Sequence, residues 1–445
     1  MEKIYDAVIV GAGPAGLMVA SMLGNRGARV LLADMKKDIP RVFRSCCANL
    51  IIEADTHKET VSYAGGAFRF AKNRFSVPYA GAVIPLHQSV KVSAGGSTLL
   101  IKGKSPEGSV ALSFEKEALL QGLFSRVQAC TTIDIMAETQ VIRAENTAGG
   151  VRVAMRHRDG REFSVQGKVA VAADGVNSRV VESLGLNKTR RKFFGRFSVA
   201  SYHMEGVECP YPEAWVTFIG KGHTLGGRGQ LYFCPKPHGG RTEPPVYDLT
   251  VGVPIAEGSG GITPAAELEH FITKGRFAPW FRKAEIVSRR AATLNFYTPL
   301  TDPVEGNVIA VGDAAAFIET YVQGALQYGF LAAEAIMGHL ETGSGFGSYA
   351  AAWSDSFEYN DPEHIKKATQ GFGLHVLKDE DLDYLFGLTR GDDVWGFVNE
   401  FSDPDTVRNA LLRHIERIRS ERPELAATFE KFGQVSVHDA LQVTG

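Results

Sequence analysis

The feature that most constrains this chain lies within its first 34 residues. An apolar run (KIYDAVIV, 3–10) leads into Gly11-Ala12-Gly13-Pro14-Ala15-Gly16. A helical pattern follows to about Arg26, Gly27 stops it, and RVLLAD (29–34) reads as a second strand ending in an acid. Val- and Ile-rich runs of this length suit a parallel strand buried on both faces. Together they form a βαβ unit with the span a right-handed crossover needs. Within the loop, Gly11 permits the tight turn off the strand, Gly13 lets backbone approach a pyrophosphate, and Gly16 lets helix pack on sheet. Pro14 and Ala15 open the helix, whose free N–H groups and dipole favour an anion. Asp34, 23 residues after Gly11, is placed to accept hydrogen bonds from ribose hydroxyls. A second G-x-G-x-x-A, at Gly345, Gly347 and Ala350, has no strand before it and is read as chance. The first loop predicts a dinucleotide, and by itself leaves NAD and FAD equally open.

At 445 residues the chain has room for two or three domains. With 44% hydrophobic and 22% charged residues it is an ordinary globular sequence. Lys and Arg total 48 against 50 Asp and Glu, so there is no basic excess to neutralise phosphates, and nucleic acid is not expected as a partner. Five scattered cysteines and no C-x-x-C argue against a disulfide scaffold, an iron–sulfur cluster or structural zinc. The expected location is cytoplasmic. Ala7–Leu23 is uncharged over 17 residues, but four Gly and Pro positions interrupt it, so it reads as strand, turn and helix rather than a membrane span.

Further along, 60–112 alternates short strand-like runs with Gly and Pro, 115–129 reads as a helix, and 138–173 returns to strands. Four strand-like stretches in 193–253 predict a separate antiparallel sheet. Residues 307–313 (NVIAVGD) predict another buried strand, a helix follows over about 323–340, and the last hundred residues read as mostly helical. The expected fold class is α/β, with a Rossmann-like dinucleotide-binding domain, an antiparallel-sheet substrate domain and a helical C-terminal region. The expected division is discontinuous: 1–60, 112–190 and 290–342 bind the cofactor, 61–111 and 191–289 form the substrate sheet, and 343–445 form the helical region.

Two further segments carry a family resemblance. Ala172-Ala173-Asp174-Gly175-Val176-Asn177-Ser178 resembles the Asp-Gly motif of the p-hydroxybenzoate hydroxylase superfamily of FAD enzymes. Gly306-Asn307-Val308-Ile309-Ala310-Val311-Gly312-Asp313-Ala314-Ala315 resembles its Gly-Asp motif. With the first loop, the three stand in the superfamily's order. The resemblance implies FAD rather than NAD, with Asp313 on the ribityl chain and the helix start near Gln323 and Gly324 aimed at the flavin pyrimidine. A helix dipole there favours the anionic reduced flavin. It also implies cofactor roles for Asp174, Gly175, Gly312 and Val141. Taken alone, Asp313 could equally be an N-cap, and Asp174-Gly175 a turn.

Within the superfamily the chain is most similar to the geranylgeranyl reductase branch, whose members saturate prenyl double bonds. The likeness rests on Pro40-Arg41-Val42-Phe43-Arg44-Ser45-Cys46 and on Gly229-Gln230-Leu231-Tyr232-Phe233-Cys234-Pro235-Lys236. The stretch after the Gly-Asp motif departs from the family. Ala316-Phe317-Ile318-Glu319-Thr320-Tyr321-Val322-Gln323-Gly324 lacks the usual proline and first glycine, and the cavity motif lacks its Trp.

Several residues are candidates for chemistry. Cys46 and Cys47 follow Arg41 and Arg44, whose charge would favour thiolate, so the pair could donate a proton to substrate or act as a redox pair. The alternative is two small buried hydrophobes. Arg41 and Arg44 are candidates for the FAD pyrophosphate or ribose, or else solvated surface charges. Glu319, expected beside the flavin, could be an acid or only fix its loop. Tyr202, Trp215, Phe218, Tyr232 and Phe233 fall on predicted strands and could roof an apolar substrate cavity, although core packing is the commoner fate of any one of them. The histidines show no metal-ligand spacing, and no metal is expected. Val407, Ala410, Leu411, His414, Ile415 and Ile418 recur at helical spacing, with Arg408, Arg413, Arg417, Arg419 and Arg422 among and beyond them. That amphipathic basic helix would pack on the body or touch the inner face of an anionic membrane.

Three functions share these motifs. The favoured one is FAD-dependent reduction of carbon–carbon double bonds on a small apolar, prenyl-like or lipid-linked substrate. The second is an aromatic-ring monooxygenase, for which no clear acid–base pair is visible. The third is an electron-transfer flavoprotein serving a protein partner. No second dinucleotide loop exists, so the electron donor (NAD(P)H, ferredoxin or quinol) is not specified.

Overall fold

The computed structural model describes residues 3–52, 56–105, 108–190, 192–227, 230–255, 261–357, 363–364, 374, 377–396 and 403–432. The N-terminal run forms the strand Ile4–Val10, the loop feeds the helix Pro14–Asn25, and the chain returns as the strand Val30–Ala33. Gly13 is the N-cap and Pro14 opens the helix, where its missing N–H costs nothing. The parallel part of the main sheet runs Ile133–Met136, Val30–Ala33, Ile4–Val10, Glu162–Ala172, Val308–Ala310. Gly150–His157 extends it as an antiparallel neighbour of Glu162–Ala172, and Thr139–Thr147 pairs antiparallel with Gly150–His157 in turn. The chain leaves Ile4–Val10 toward Val30–Ala33 on one side, and Glu162–Ala172 and then Val308–Ala310 are added on the other. This is a topological switch point, the place where open α/β sheets bind ligands beyond the strands' C-terminal ends.

Register concentrates the motifs there. Val10 lies opposite both Ala33 and Ala172, and Ala172 opposite Ala310. Asp34, the glycine loop, the Asp-Gly turn and the Gly-Asp turn therefore leave the sheet at one level. Backbone bonds tie them: Gly11 N–H to Ala33 O (2.8 Å), Ala173 N–H to Val10 O (2.8 Å) and Val311 N–H to Ala172 O (3.0 Å).

A seven-stranded sheet has the order Glu285–Tyr297, Lys192–Glu205, Arg241–Pro254, Gln230–His238, Ala214–Ile219, Gln88–Ser93, Thr98–Lys102. It is antiparallel except for one pair, because Ala214–Ile219 runs parallel to Gln88–Ser93. The strand Glu285–Tyr297 runs across the 289/290 division and pairs with Lys192–Glu205 along its length. One face of this sheet is apolar and covered by the helix Pro264–Thr273, with Leu268 and Phe271 in its core. The other face looks toward a small sheet of Asn49–Ile51, Ala111–Phe114 and Val83–Leu86.

In the C-terminal region, the amphipathic pattern over 407–418 is two helices, Pro404–Leu412 and Ile415–Glu421, separated at Arg413-His414. Val407, Ala410, Leu411 and Ile418 are buried with Leu382, Leu385 and Phe386, so this apolar stripe faces protein. Arg417, Arg419 and Arg422 pair with Glu421, Glu416 and Asp381. Among the described residues no helix is long and apolar enough to cross a membrane.

Candidate functional site

The glycines of the first loop have distinct jobs. Gly11 takes φ +97°, open to glycine, and a Cβ there would meet Ala173 O at 2.3 Å, so the Asp-Gly turn lies directly over it. A Cβ on Gly16 would meet Gly11 O at 1.9 Å, which makes this glycine a packing requirement of the turn itself. Gly13 has ordinary φ and ψ of −79° and −173°, and nothing of the protein lies within 4 Å of its Cβ position. It faces open space at a helix N-terminus. Asp34 is buried; its Oδ2 accepts from Ala12 N–H (2.6 Å) and its Oδ1 from Lys36 N–H (2.8 Å). Val141 lies two residues beyond Thr139, whose N–H donates to Asp34 O (2.9 Å), and its side chain is buried in the main core.

Asp174 spends its carboxylate locally, accepting from Ser178 Oγ (2.5 Å) and Arg179 N–H (2.8 Å) at the start of a short helix. Burial nevertheless pushes its carboxyl up. Gly175 (φ +85°) lies under the Arg44 guanidinium, 3.2 Å from its Cβ position. Arg41 is exposed and lies against the Phe43 ring at 5.8 Å. Gly312 takes φ +61° and packs against Ala15, which brings the Gly-Asp turn onto the first helix. Asp313 follows it. Burial raises its carboxyl, against the nearby charges of Lys116 and Arg44.

The long helix Asp313–Thr342 is interrupted at Ala316 and Tyr321. Tyr321 takes φ +52°, rare for a bulky side chain, and a regular helix resumes after it. That restart sets a fresh helix N-terminus at Gln323 and Gly324, as the sequence predicts. Both polar atoms of the buried Gln323 amide lack a protein hydrogen-bond partner. Gly324 is small because His57 lies 3.2 Å from its Cβ position. Glu319 falls on the helical stretch between the interruptions at Ala316 and Tyr321, and its side chain lies outside what the structure describes.

The expected aromatic roof is divided by the period of two along its strands. Phe218, Phe233 and Tyr202 point to the helix-covered face, where Phe218 meets Phe271 at 4.8 Å and Phe233 stacks on Tyr247 at 4.8 Å. These three are core residues, which corrects the cavity assignment. Trp215 and Tyr232 point the other way, into an apolar cluster with Ile51, Leu86, Val110 and Cys234 that Cys47 and Tyr321 also join.

The cysteine segment lies between the two regions. Ser45 bonds to Ser201 of the large sheet, and buried Lys236 holds the carbonyls of Cys47 and Ala48 and the Asn49 side chain. The two thiols differ. Burial first, and then the neighbouring Cys46, pushes the Cys47 thiol up to about 12, so the expected guanidinium-favoured thiolate is corrected for Cys47. The cation in contact with Cys46 is Lys116, whose Nζ donates to Sγ at 3.2 Å. Burial opposes the Lys116 charge, but Cys46 and Asp313 outweigh it and raise its pKa.

Sequence reasoning missed Lys116 and Arg190. Arg190 donates to Thr298 O (2.7 Å), Ala314 O (3.2 Å) and Ala315 O (3.1 Å), bracing the Gly-Asp helix, and burial lowers its pKa to about 10. Neither residue stands in a motif, and both meet their partners only through the fold. Among the described residues no cluster could hold a metal ion.

These features fit FAD: open space at Gly13, a buried acid after the second strand, and an unsatisfied amide where the helix restarts. Fold and loops together define a Rossmann-type flavoprotein, and the chain belongs to the FAD-binding domain family, which residues 4–238 match. It is 27% identical over 345 residues to the digeranylgeranylglycerophospholipid reductase of Methanococcus vannielii, covering 75% of this chain and 77% of that one. The Methanospirillum hungatei protein of the same name is 22% identical, covering 99% of this chain and 100% of that one. These relatives bear out the likeness to the geranylgeranyl reductase branch. A crystal structure of a geranylgeranyl bacteriochlorophyll reductase-like protein from Thermoplasma acidophilum shares the fold, with TM-score 0.68, 16% identity and coverage of 97% of this chain and 100% of that one.

Proposed function

We propose that this chain is an FAD-dependent reductase of carbon–carbon double bonds on an apolar, prenyl-bearing lipid. The observation that carries the reading is the apolar cluster of Trp215, Tyr232, Cys47 and Tyr321, which joins the restart of the long helix to the large sheet. FAD, when reduced, supplies hydride at its ring. The glycine loop and Asp34 hold the adenosine and pyrophosphate end, while Asp313, Gln323 and the helix start hold the ribityl and ring end. Trp215 and Tyr232 line the prenyl chain and exclude water from the reacting carbons. Cys46 gives a proton to the carbon that does not receive hydride, and its sulfur is left anionic beside Lys116. Cys47, whose proton is held by burial, packs rather than reacts.

The test is anaerobic. The photoreduced holoprotein is mixed with a digeranylgeranyl phospholipid in detergent, and the flavin spectrum is followed. Reoxidation that depends on the unsaturated lipid and is absent with its saturated analogue is expected. Equal rates with both lipids would refute the reading.

A further inference from the structure

Lys116 stands in an unfavourable place for a cation. It is the first residue of the helix Lys116–Gln128, whose N-terminal dipole repels positive charge, and it is half-buried. A lysine in that position needs negative charge close by. Asp313 contributes over a distance, but the atom Lys116 contacts is the Cys46 sulfur, at 3.2 Å. The groups around the pair are Cys47 beside Cys46, Asp313 and Arg44 on the cofactor side, and Lys36 on the outer side.

We propose that Lys116 is a positioning residue for Cys46, its ammonium pairing with the anionic sulfur that remains once Cys46 has given up its proton. The step balances simply. The S–H bond breaks, the proton leaves with the acceptor carbon, and the electron pair stays on sulfur opposite the ammonium. A proton from solvent later restores the thiol, and Lys116 keeps all of its own. The inference rests on the role proposed for Cys46, but it can be tested without turnover, because the anionic sulfur is also the form that alkylating agents attack.

The experiment uses the holoprotein, iodoacetamide and peptide-level mass spectrometry, so that Cys46 is read separately from the other cysteines. At pH 8, Lys116→Met should slow alkylation of Cys46 about tenfold and move its rate–pH profile upward, while Lys116→Arg restores most of the rate. Bound flavin and the alkylation of Cys130 should stay as in the parent. If Lys116→Met folds poorly, Lys116→Gln keeps a polar head of similar reach and gives the same reading. Alkylation of Cys46 at the parental rate in a folded variant would overturn the proposal. So would loss of flavin with Cys46 reactivity intact, which would make Lys116 a cofactor ligand. Failure of lipid reduction with the expected alkylation pattern would count against the reductase reading and leave the pair standing.

Discussion

Gly13 and Gly16 occupy one loop for different reasons, and alanine at each separates cofactor binding from folding. In Gly13→Ala the new methyl has no protein atom within 4 Å, and φ −79°, ψ −173° suits any residue. Reduced freedom of the unfolded chain favours alanine by about 0.4–1 kcal/mol, and the poorer N-cap offsets a similar amount. The apoprotein should therefore stay within about 1 kcal/mol of the parent. The methyl occupies the approach of the pyrophosphate, however, and losing one charge-assisted hydrogen bond, about 1.5–3 kcal/mol, weakens FAD roughly 10- to 100-fold. In Gly16→Ala the methyl would lie 1.9 Å from Gly11 O, a backbone atom with nowhere to go. Overpacking costs about 1–3 kcal/mol, here toward the upper end, and helix propensity returns about 1 kcal/mol. A net loss of about 2 kcal/mol should appear in the apoprotein itself. Urea denaturation of flavin-free protein reads the stability, and quenching of FAD fluorescence reads the affinity; apo forms are needed because bound ligand adds its own stabilisation. Parental FAD affinity in Gly13→Ala would refute the reasoning, as would an apo-stability loss equal to that of Gly16→Ala.

Two further outcomes follow from the sheet faces and the buried histidines. Phe218→Ala should cost about 3–5 kcal/mol in denaturation with little change in KM for the lipid, whereas Tyr232→Ala should change KM at nearly parental stability; the reverse pattern would exchange the two faces. Burial lowers the pKa of His203 and His223, so as pH falls through the ordinary histidine value of about 6.5 the unfolded chain takes up protons that the folded chain refuses. Stability should fall from about pH 7 toward pH 5.5, and His203→Gln with His223→Gln should flatten that slope in urea denaturation. Asp174 and Asp313, raised by burial, act with the opposite sign.

The cofactor half of the site was legible in the sequence because its parts are local. Strand, loop, helix and acid lie within 34 residues, and the Asp-Gly and Gly-Asp turns each follow a buried strand. The registers that bring the three together were not legible, but the motif order stood in for them. The aromatic roof was only half legible. Tyr232 and Phe233 are neighbours on one strand and must face opposite ways, and Trp215 and Phe218 are separated by an odd step, so alternation alone divides them. Lys116 and Arg190 carried no signal, because a lone cation gains its meaning from partners 70 and more than 100 residues away. The C-terminal stripe was legible as amphipathic, while its burial depended on Leu382, Leu385 and Phe386, which belong to another helix.

The central claim is that this site adds hydrogen across a prenyl double bond. The most direct measurement is the mass of the lipid after turnover by reduced holoprotein, once without oxygen and once in labelled oxygen gas. The account predicts a gain of two hydrogens per reacted double bond in both, with no label incorporated. An oxygen atom carried into the product would contradict it and make the protein a monooxygenase.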